Sequence, residues 1–243
     1  MKAFFDKIYK GGAAAFFAQV KENLIKGKKM FIVTANPEAF MLGEREEDMA
    51  ALLCDEDTTV IADGIGIVKG ARMVGVNVAE RIPGVELAKK LLEFADESSC
   101  SVFLLGAKRE VLDALCERIA GDYPNITLCG AVDGYTEDKD AVFEKIKQSS
   151  PDIVLVALGM PAQEKLIYRH YNDFKKGIFV GVGGSFDVLS GQKSRAPKFF
   201  IEYNLEWLYR IMKEPKRIKR FYDNNIKFIL KLMKDNRSRQ VKK

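Results

Sequence analysis

Six short apolar runs punctuate the chain: MFIVTA (30–35), TVIAD (59–63), VFLLG (102–106), ITLCG (126–130), IVLVALG (153–159) and IFVGVGG (178–184). Each is rich in Val, Ile and Leu and ends in small or polar residues, the pattern of strands buried on both faces of a parallel sheet. Amphipathic segments of helical length lie between them, for example residues 85–96 and 110–120. This alternation predicts an α/β fold, a Rossmann-like, mostly parallel sheet covered by helices. Ligands of such sheets bind outside the carboxyl ends of the strands. The polar residues just beyond the runs are therefore the candidates: Thr34, Asn36, Asp63, Arg81 in the following loop, Asp133, Gln163 and Asp187.

After Pro197 the strand pattern stops and only helical periodicity remains, which divides the chain into a body (1–197) and a helical appendage (198–243). On a wheel of about 100° per residue, Ile218, Phe221, Tyr222, Ile226, Ile229 and Met233 fall on one side. Lys216, Arg217, Arg220, Lys227, Lys231 and Lys234 fall on the other. An apolar face opposed to a basic face suits a helix lying in a membrane interface. It equally suits a helix docked on the body or on another subunit, and both readings stand. An exposed apolar face would also support self-association into a homo-oligomer.

Charge sharpens this division. Residues 213–243 hold 12 Lys and Arg against 3 Asp and Glu, so the tail carries +9 of a chain whose net charge is +5, and the remainder carries −4. A mildly acidic body with a basic tail argues against a nucleic-acid binder, whose basic residues would stripe the folded face. It points instead to an anionic membrane surface as partner. No apolar run approaches the roughly 20 residues of a spanning helix, and the N-terminus lacks the pattern of a signal peptide. The expectation is a cytoplasmic protein, peripheral on the inner face of the plasma membrane. Cys54, Cys100, Cys116 and Cys129 are scattered and His170 is the single histidine, which supports neither a disulfide framework nor a zinc site.

Several motifs carry chemistry. Asp63 in ADGIGIV (62–68) sits where a strand gives way to a glycine turn, placed either to take a proton from a hydroxyl nucleophile or to cap the next helix. The spacing of Gly64, Gly66 and Gly70 misses the dinucleotide fingerprint GxGxxG, which weakens a nucleotide-dependent oxidoreductase as the rival enzyme class. In LLGAKRE (104–110), Gly106 opens a turn able to present backbone N–H groups to phosphate. In GVGGSFD (181–187), Gly183 and Gly184 permit close backbone approach and Asp187 is positioned to accept hydrogen bonds from a sugar or base. Asp55 and Asp57 form a DxD, but one lying before a strand and thus at the wrong sheet edge, so it reads as a solvated turn. With no metal expected, a departing diphosphate would need Arg, Lys or helix N-termini. Arg210, Arg217 and Arg220 could supply that charge or contact lipid phosphates. The aromatics Phe199, Phe200, Tyr203, Trp207 and Tyr209 read as packing.

In order along the chain, TANPE (34–38), ADGIGIV, RIPG (81–84), LGMPAQE (158–164), GVGGSFD, SRAP (194–197), LEWLYR (205–210) and EPKRIKR (214–220) resemble the WecG/TagA/CpsF glycosyltransferase family. Three departures are the N-terminal stretch 1–27, with GGAAAFF, which differs from the usual start of that pattern, Leu166, where the pattern has an aromatic, and Glu86, where it has Asp. The resemblance implies an inverting, metal-independent transferase without a cofactor. It would move N-acetylmannosamine or a related sugar from a UDP donor to undecaprenyl-diphosphate-linked N-acetylglucosamine for teichoic acid or a related surface polymer. It implies Asp63 as general base, Thr34, Asn36, Arg81 and Gln163 lining the sugar and acceptor pocket, and Asp187 near the nucleotide. It implies that Arg195 of SRAP contacts substrate and that Arg210, Arg217 and Arg220 complete the site from the appendage. A membrane adaptor that binds a nucleotide sugar without turnover is the rival non-enzyme reading.

Overall fold

The structure, a computed structural model, describes residues 1–240, and the side chains of Arg217, Arg220 and residues 236–240 lie outside the description. Its strands are β1 (Met30–Ala35), β2 (Thr58–Ala62), β3 (Ser101–Gly106), β4 (Thr127–Val132), β5 (Ile153–Ala157) and β6 (Ile178–Gly181). They form one sheet in the order β2-β1-β6-β5-β3-β4 with every neighbouring pair parallel. All six apolar runs are therefore strands, and the mostly parallel sheet expected from them is wholly parallel.

The first half of the chain adds helices α1 (Lys2–Lys7), α2 (Ala13–Ile25), α3 (Pro37–Gly43), α4 (Glu47–Cys54), α5 (Ile65–Met73), α6 (Gly84–Glu97) and α7 (Arg109–Asp122). The second half adds α8 (Lys139–Ser149), α9 (Ala162–His170), α10 (Ser185–Leu189), α11 (Lys198–Glu202), α12 (Glu206–Lys213), α13 (Arg217–Phe221) and α14 (Lys227–Gln240). Successive strand side chains point to opposite faces, and this sorts the core into two layers. Phe31, Val33, Val60, Phe103, Leu105, Val154, Val156 and Phe179 meet α1, α3, α4, α5, α8, α9 and α14. Met30, Ile32, Ile61, Val102, Leu104, Ile153, Leu155, Ile178 and Val180 meet α2, α6, α7 and α10. Burial on both faces explains the continuous apolar runs.

The chain runs from β1 outward to β2 at one edge and from β3 outward to β4 at the other, with β6 and β5 filling the gap between. Such a reversal opens a crevice at the carboxyl ends of the central strands. Thr34, Asp63, Gln163 and Gly183 all lie along that edge.

The C-terminal helix departs from the wheel. Phe228 and Leu232 of α14 are fully buried. The Phe228 ring lies 6.1 Å from that of Phe5 and 6.3 Å from that of Phe40. A Cβ on Gly70 of α5 would stand 2.9 Å from Leu232 Cδ1 and 3.0 Å from Phe228 Cζ, so a side chain there would displace the helix. Lys231 pairs with Glu44, which also pairs with the N-terminal amine. Of the face the wheel makes apolar, Ile218, Tyr222, Ile229 and Met233 stay exposed, joined by Leu230. The physical reason is docking: Phe228 and Leu232 stand one residue, about 100°, back from Ile229 and Met233 on the wheel, and it is their stripe that meets Gly70, Phe5 and Phe40. The aromatics read as packing stack on one another, Trp207 on Phe221 at 4.4 Å, yet no residue of α11 or α12 is buried.

Phe228→Ala should cost about 3–5 kcal/mol by leaving a cavity between α14 and α5, whereas Ile229→Ala should change stability by less than about 1 kcal/mol. Denaturant midpoints of the two variants check this.

Candidate active site

The floor of the crevice is built from backbone and three side chains. Thr34 Oγ1 donates to the Gly181 carbonyl at 3.1 Å, tying the end of β1 to the end of β6. The Gln163 carboxamide sits at the start of α9, where its Oε1 accepts the N–H groups of Gly159 at 3.1 Å and Gly183 at 3.0 Å. Its Nε2 donates to Glu164 Oε1 at 2.7 Å. Gln163 thus spans the turns after β5 and β6. Glu164 is wholly buried, and its second oxygen, Oε2, meets no hydrogen-bond partner. Burial pushes the Glu164 carboxyl up to about 7, only partly opposed by the Gln163 amide.

Asp63 stands at the end of β2, and its Oδ1 accepts the Gly84 N–H at 2.5 Å. It does hold a helix start, but that of α6, 21 residues on. The next helix, α5, has no side-chain cap. The reason is spatial: the chain passes from β2 through the Arg81–Pro83 loop back to the same edge, where the Ile82 N–H bonds the Ala62 carbonyl at 2.7 Å. Burial raises the Asp63 carboxyl above the ordinary aspartate range. The Gly84 N–H, Arg210 and Arg81 work against that rise, while Glu206 adds to it. A Cβ on Gly84 would lie 3.4 Å from Thr34 Cγ2 and 3.5 Å from Asp63 Oδ1, so Thr34, Asp63 and Gly84 share one small volume.

Beside it a cavity of roughly 410 Å³ opens, lined among others by Ile65, Arg72, Arg81, Glu86, Ile201 and Asn204. Arg81 and Glu86 on its wall are linked by ion pairs to Glu206 and Arg195. Arg81 donates to Glu206 Oε2 at 2.8 Å and to the Ile201 carbonyl at 3.3 Å. Arg195 donates to Glu86 Oε1 at 2.6 Å and reaches Glu206 Oε1 at 3.5 Å. Burial would lift the Glu206 carboxyl, but Arg81, Arg195 and Arg210 hold it below the usual carboxylate range. Glu206 pins α12 over the Arg81 loop and brings Arg210, one turn further along the helix, within electrostatic reach of Asp63. Arg81 and Arg195 are thus engaged by protein carboxylates rather than facing the cavity alone.

The other expected residues are more dispersed. Asn36 Oδ1 caps α3 by accepting the Ala39 N–H at 3.0 Å. Gly106 has φ +125°, and a Cβ there would strike the Ala157 carbonyl at 2.4 Å. The next N–H, that of Ala107, already donates to Ala157 at 2.9 Å. Asp133 makes a local turn by accepting the Tyr135 N–H at 2.9 Å. It closes β4, the far edge strand, five strand spacings of about 4.8 Å from β2, or about 24 Å from Asp63. Gly183 takes φ +48° in the turn, while Gly184 is the residue before α10. Asp187 in α10 pairs with Lys193 at 3.1 Å. Arg217 and Arg220 sit in the backbone of α13, with their side chains outside the described residues. Asp55 accepts the Tyr168 hydroxyl at 2.7 Å at the opposite sheet edge, in line with a solvated turn. Among the described residues, Glu144, His170 and Asp173 bring three ligand-type atoms within 4.8 Å of one another, also away from the crevice, with His170 already bonded to Asp140 at 2.7 Å.

Glu206 and Glu164 are the residues that motif reading passes over. Glu206 is carried by LEWLYR, where the aromatics dominate, and its only signal is an acid inside a basic segment. Glu164 follows Gln163 directly, and nothing in the order of residues tells that one carboxylate is buried whole.

A carboxyl at a strand end, flanked by arginines and glycine turns on a parallel sheet, is the layout of a group-transfer enzyme with an anionic substrate. Comparison with known proteins narrows the class. The family model described as the glycosyl transferase WecG/TagA/CpsF family matches residues 6–242. A protein of Bacillus spizizenii strain W23 is 42% identical over 197 residues, 81% of this chain and 76% of the relative. One of Bacillus subtilis strain 168 is 37% identical over 210 residues, 86% and 81% of the two chains. One of Staphylococcus aureus strain MW2 is 38% identical over 223 residues, 91% and 85%. All three are named N-acetylglucosaminyldiphosphoundecaprenol N-acetyl-beta-D-mannosaminyltransferase. The chain belongs to the WecG/TagA/CpsF family and is a glycosyltransferase, which sets aside both the oxidoreductase and the adaptor without turnover.

The raised Glu164 carboxyl makes stability fall with pH. A carboxyl whose folded value exceeds its ordinary 4.5 contributes stability that is complete below about 4.5 and lost as pH rises through about 7. Glu164→Gln keeps the neutral form at every pH. Relative to the parent it should gain up to about 3 kcal/mol between pH 4.5 and 7.5, read from denaturant unfolding at the two pH values.

Proposed function

We propose that this chain transfers N-acetylmannosamine from a UDP donor to undecaprenyl-diphosphate-linked N-acetylglucosamine, with inversion at the anomeric carbon and no metal, in the synthesis of teichoic acid or a related surface polymer. The hexosyl transfer and the lipid-linked acceptor rest on the names its relatives carry. The observation that carries the mechanism is the Asp63 carboxyl, more basic than an ordinary aspartate yet held in place by the Gly84 N–H. In this reading Asp63 takes the proton of the acceptor hydroxyl as its oxygen attacks the anomeric carbon and the bond to UDP breaks. Thr34, sharing one small volume with Asp63, lines the acceptor side. Gln163 and the Gly183 turn serve the donor, and Arg210 offsets charge developing on departing UDP. Asn36, Gly106, Asp133, Gly184, Asp187, Arg217 and Arg220 remain substrate contacts in this proposal, with Arg81 and Arg195 acting through Glu206.

A peripheral position at the membrane fits the same picture. Among the described residues no helix is long and apolar enough to cross a bilayer. Met212, Ile218, Tyr222, Ile229, Leu230 and Met233 form an exposed apolar series on α12 to α14 amid lysines and arginines. That composition suits an interface of anionic lipids. Self-association through the same face is the competing use.

Asp63→Asn should lower transfer at least 1000-fold, the scale of losing a general base, with UDP affinity within about threefold. UDP release with a panel of UDP-N-acetylhexosamines and a short-chain lipid-diphosphate acceptor tests the base and the donor together, and near-normal turnover would refute the base. Arg210 favours the charged form of Asp63, so Arg210→Gln should move the acidic limb of kcat/KM to higher pH.

The membrane contact needs surface variants, because deleting residues 213–243 also removes Phe228 and Leu232 from the core. Ile229→Glu with Leu230→Glu should weaken co-sedimentation with anionic vesicles at least tenfold while the thermal midpoint stays within a few degrees of the parent. Unchanged sedimentation would reassign the face.

A further inference from the structure

We infer that Glu164 is a positioning residue: its carboxyl fixes the orientation of the Gln163 carboxamide and, through it, locks together the turns that follow β5 and β6.

A carboxamide can sit in its site two ways round, since O and NH2 are nearly the same size. Here Oε1 must face the Gly159 and Gly183 N–H groups, because the reverse would set donors against donors. The choice is enforced from the other end, where Nε2 finds one acceptor, Glu164 Oε1 at 2.7 Å. The pair is pressed against β6 at a point where a side chain has no room. A Cβ on Gly181 would lie 2.6 Å from Gln163 Nε2 and 2.8 Å from Glu164 Oε1. Gly159, at φ +80°, and Gly183, at φ +48°, take left-handed backbone, and each is held in that turn by its bond to Gln163. Glu164 itself is fully buried and its Oε2 is unpartnered. A carboxyl that makes so little of its bonding capacity is poorly explained by stability alone, since unmade bonds of a buried polar group are costly. It is explained if its bond to Gln163 sets the polarity of a three-bond clamp across the crevice. Both the ionised acid and the neutral acid with its proton on Oε2 leave Oε1 as the acceptor the clamp needs. That the clamped turns face the donor rests on the reading under Proposed function; that they are clamped does not.

The test uses the full chain. Glu164→Leu should speed hydrogen exchange of the Gly159 and Gly183 backbone amides at least tenfold, and Glu164→Gln, which still offers Gln163 an acceptor oxygen, should keep them within threefold of the parent. Unchanged exchange in Glu164→Leu, or equal loss in Glu164→Gln, overturns the inference. For the donor, Glu164→Leu should raise the KM of the UDP-sugar and the Kd of UDP at least tenfold with kcat within threefold. Faster exchange with unchanged UDP affinity would overturn donor positioning, whereas a parent protein that binds no UDP while its glycine amides respond as stated would instead sink the donor reading and leave the clamp standing. If Glu164→Leu does not fold, the unmodified protein decides. The Gln163 side-chain NH2 protons must exchange slowly, and fast exchange refutes the clamp.

Discussion

Everything at the site depends on one constraint: six parallel strands buried on both faces must deliver their carboxyl ends to a single edge. Parallel neighbours cannot be joined by tight hairpins, so each return passes through a helix or long loop on one face of the sheet. The polar residues that strands cannot carry inside are thereby collected in one row. Thr34, Asp63, Gln163 and Gly183 are far apart in the chain and adjacent along that row because the chain reverses direction between β2 and β3 and fills the gap last. β6, which completes the sheet, supplies both the carbonyl that Thr34 bonds and the turn that Gln163 holds.

The edge is kept in working order by unequal treatment of its carboxylates. Glu206 is drawn down by Arg81, Arg195 and Arg210, Asp63 is pushed up by burial against the Gly84 N–H and two arginines, and Glu164 is pushed up by burial against the Gln163 amide. Neighbouring groups of one chemical type thus hold protons over different ranges. The arginines show the converse. Expected as substrate contacts, Arg81 and Arg195 spend hydrogen bonds on Glu206 and Glu86, so their first effect is to set the position of α12 and the charge around the cavity.

The layered body was legible from the runs alone, because strands buried on both faces leave no alternation to misread and every run emerged as a strand. Asp63 was legible as the end of β2, but its partner was not: hydrogen bonding across 21 residues follows from the return of the Arg81–Pro83 loop, which no local pattern encodes. Asn36 was legible as a polar residue at a strand end, while its capping of α3 needs the backbone to be seen. The appendage was least legible. A wheel drawn for contrast between apolar and basic sides singles out the stripe of Ile229 and Met233, whereas packing on α5 buries the stripe beside it, so the pair Phe228 and Leu232 was passed over for residues that remain outside.

That buried pair reaches further than the helix it belongs to. Leu232 and Phe228 rest on Gly70 of α5, and α5 begins two residues after Asp63. A short, stiff strut of packed atoms therefore joins the outward apolar residues of α14 to the carboxylate in the crevice. Any surface that receives those residues is held at a set height above Asp63. The distance between that surface and the crevice then becomes a dimension of the fold, a built-in gauge whose length is the thickness of two packed helices.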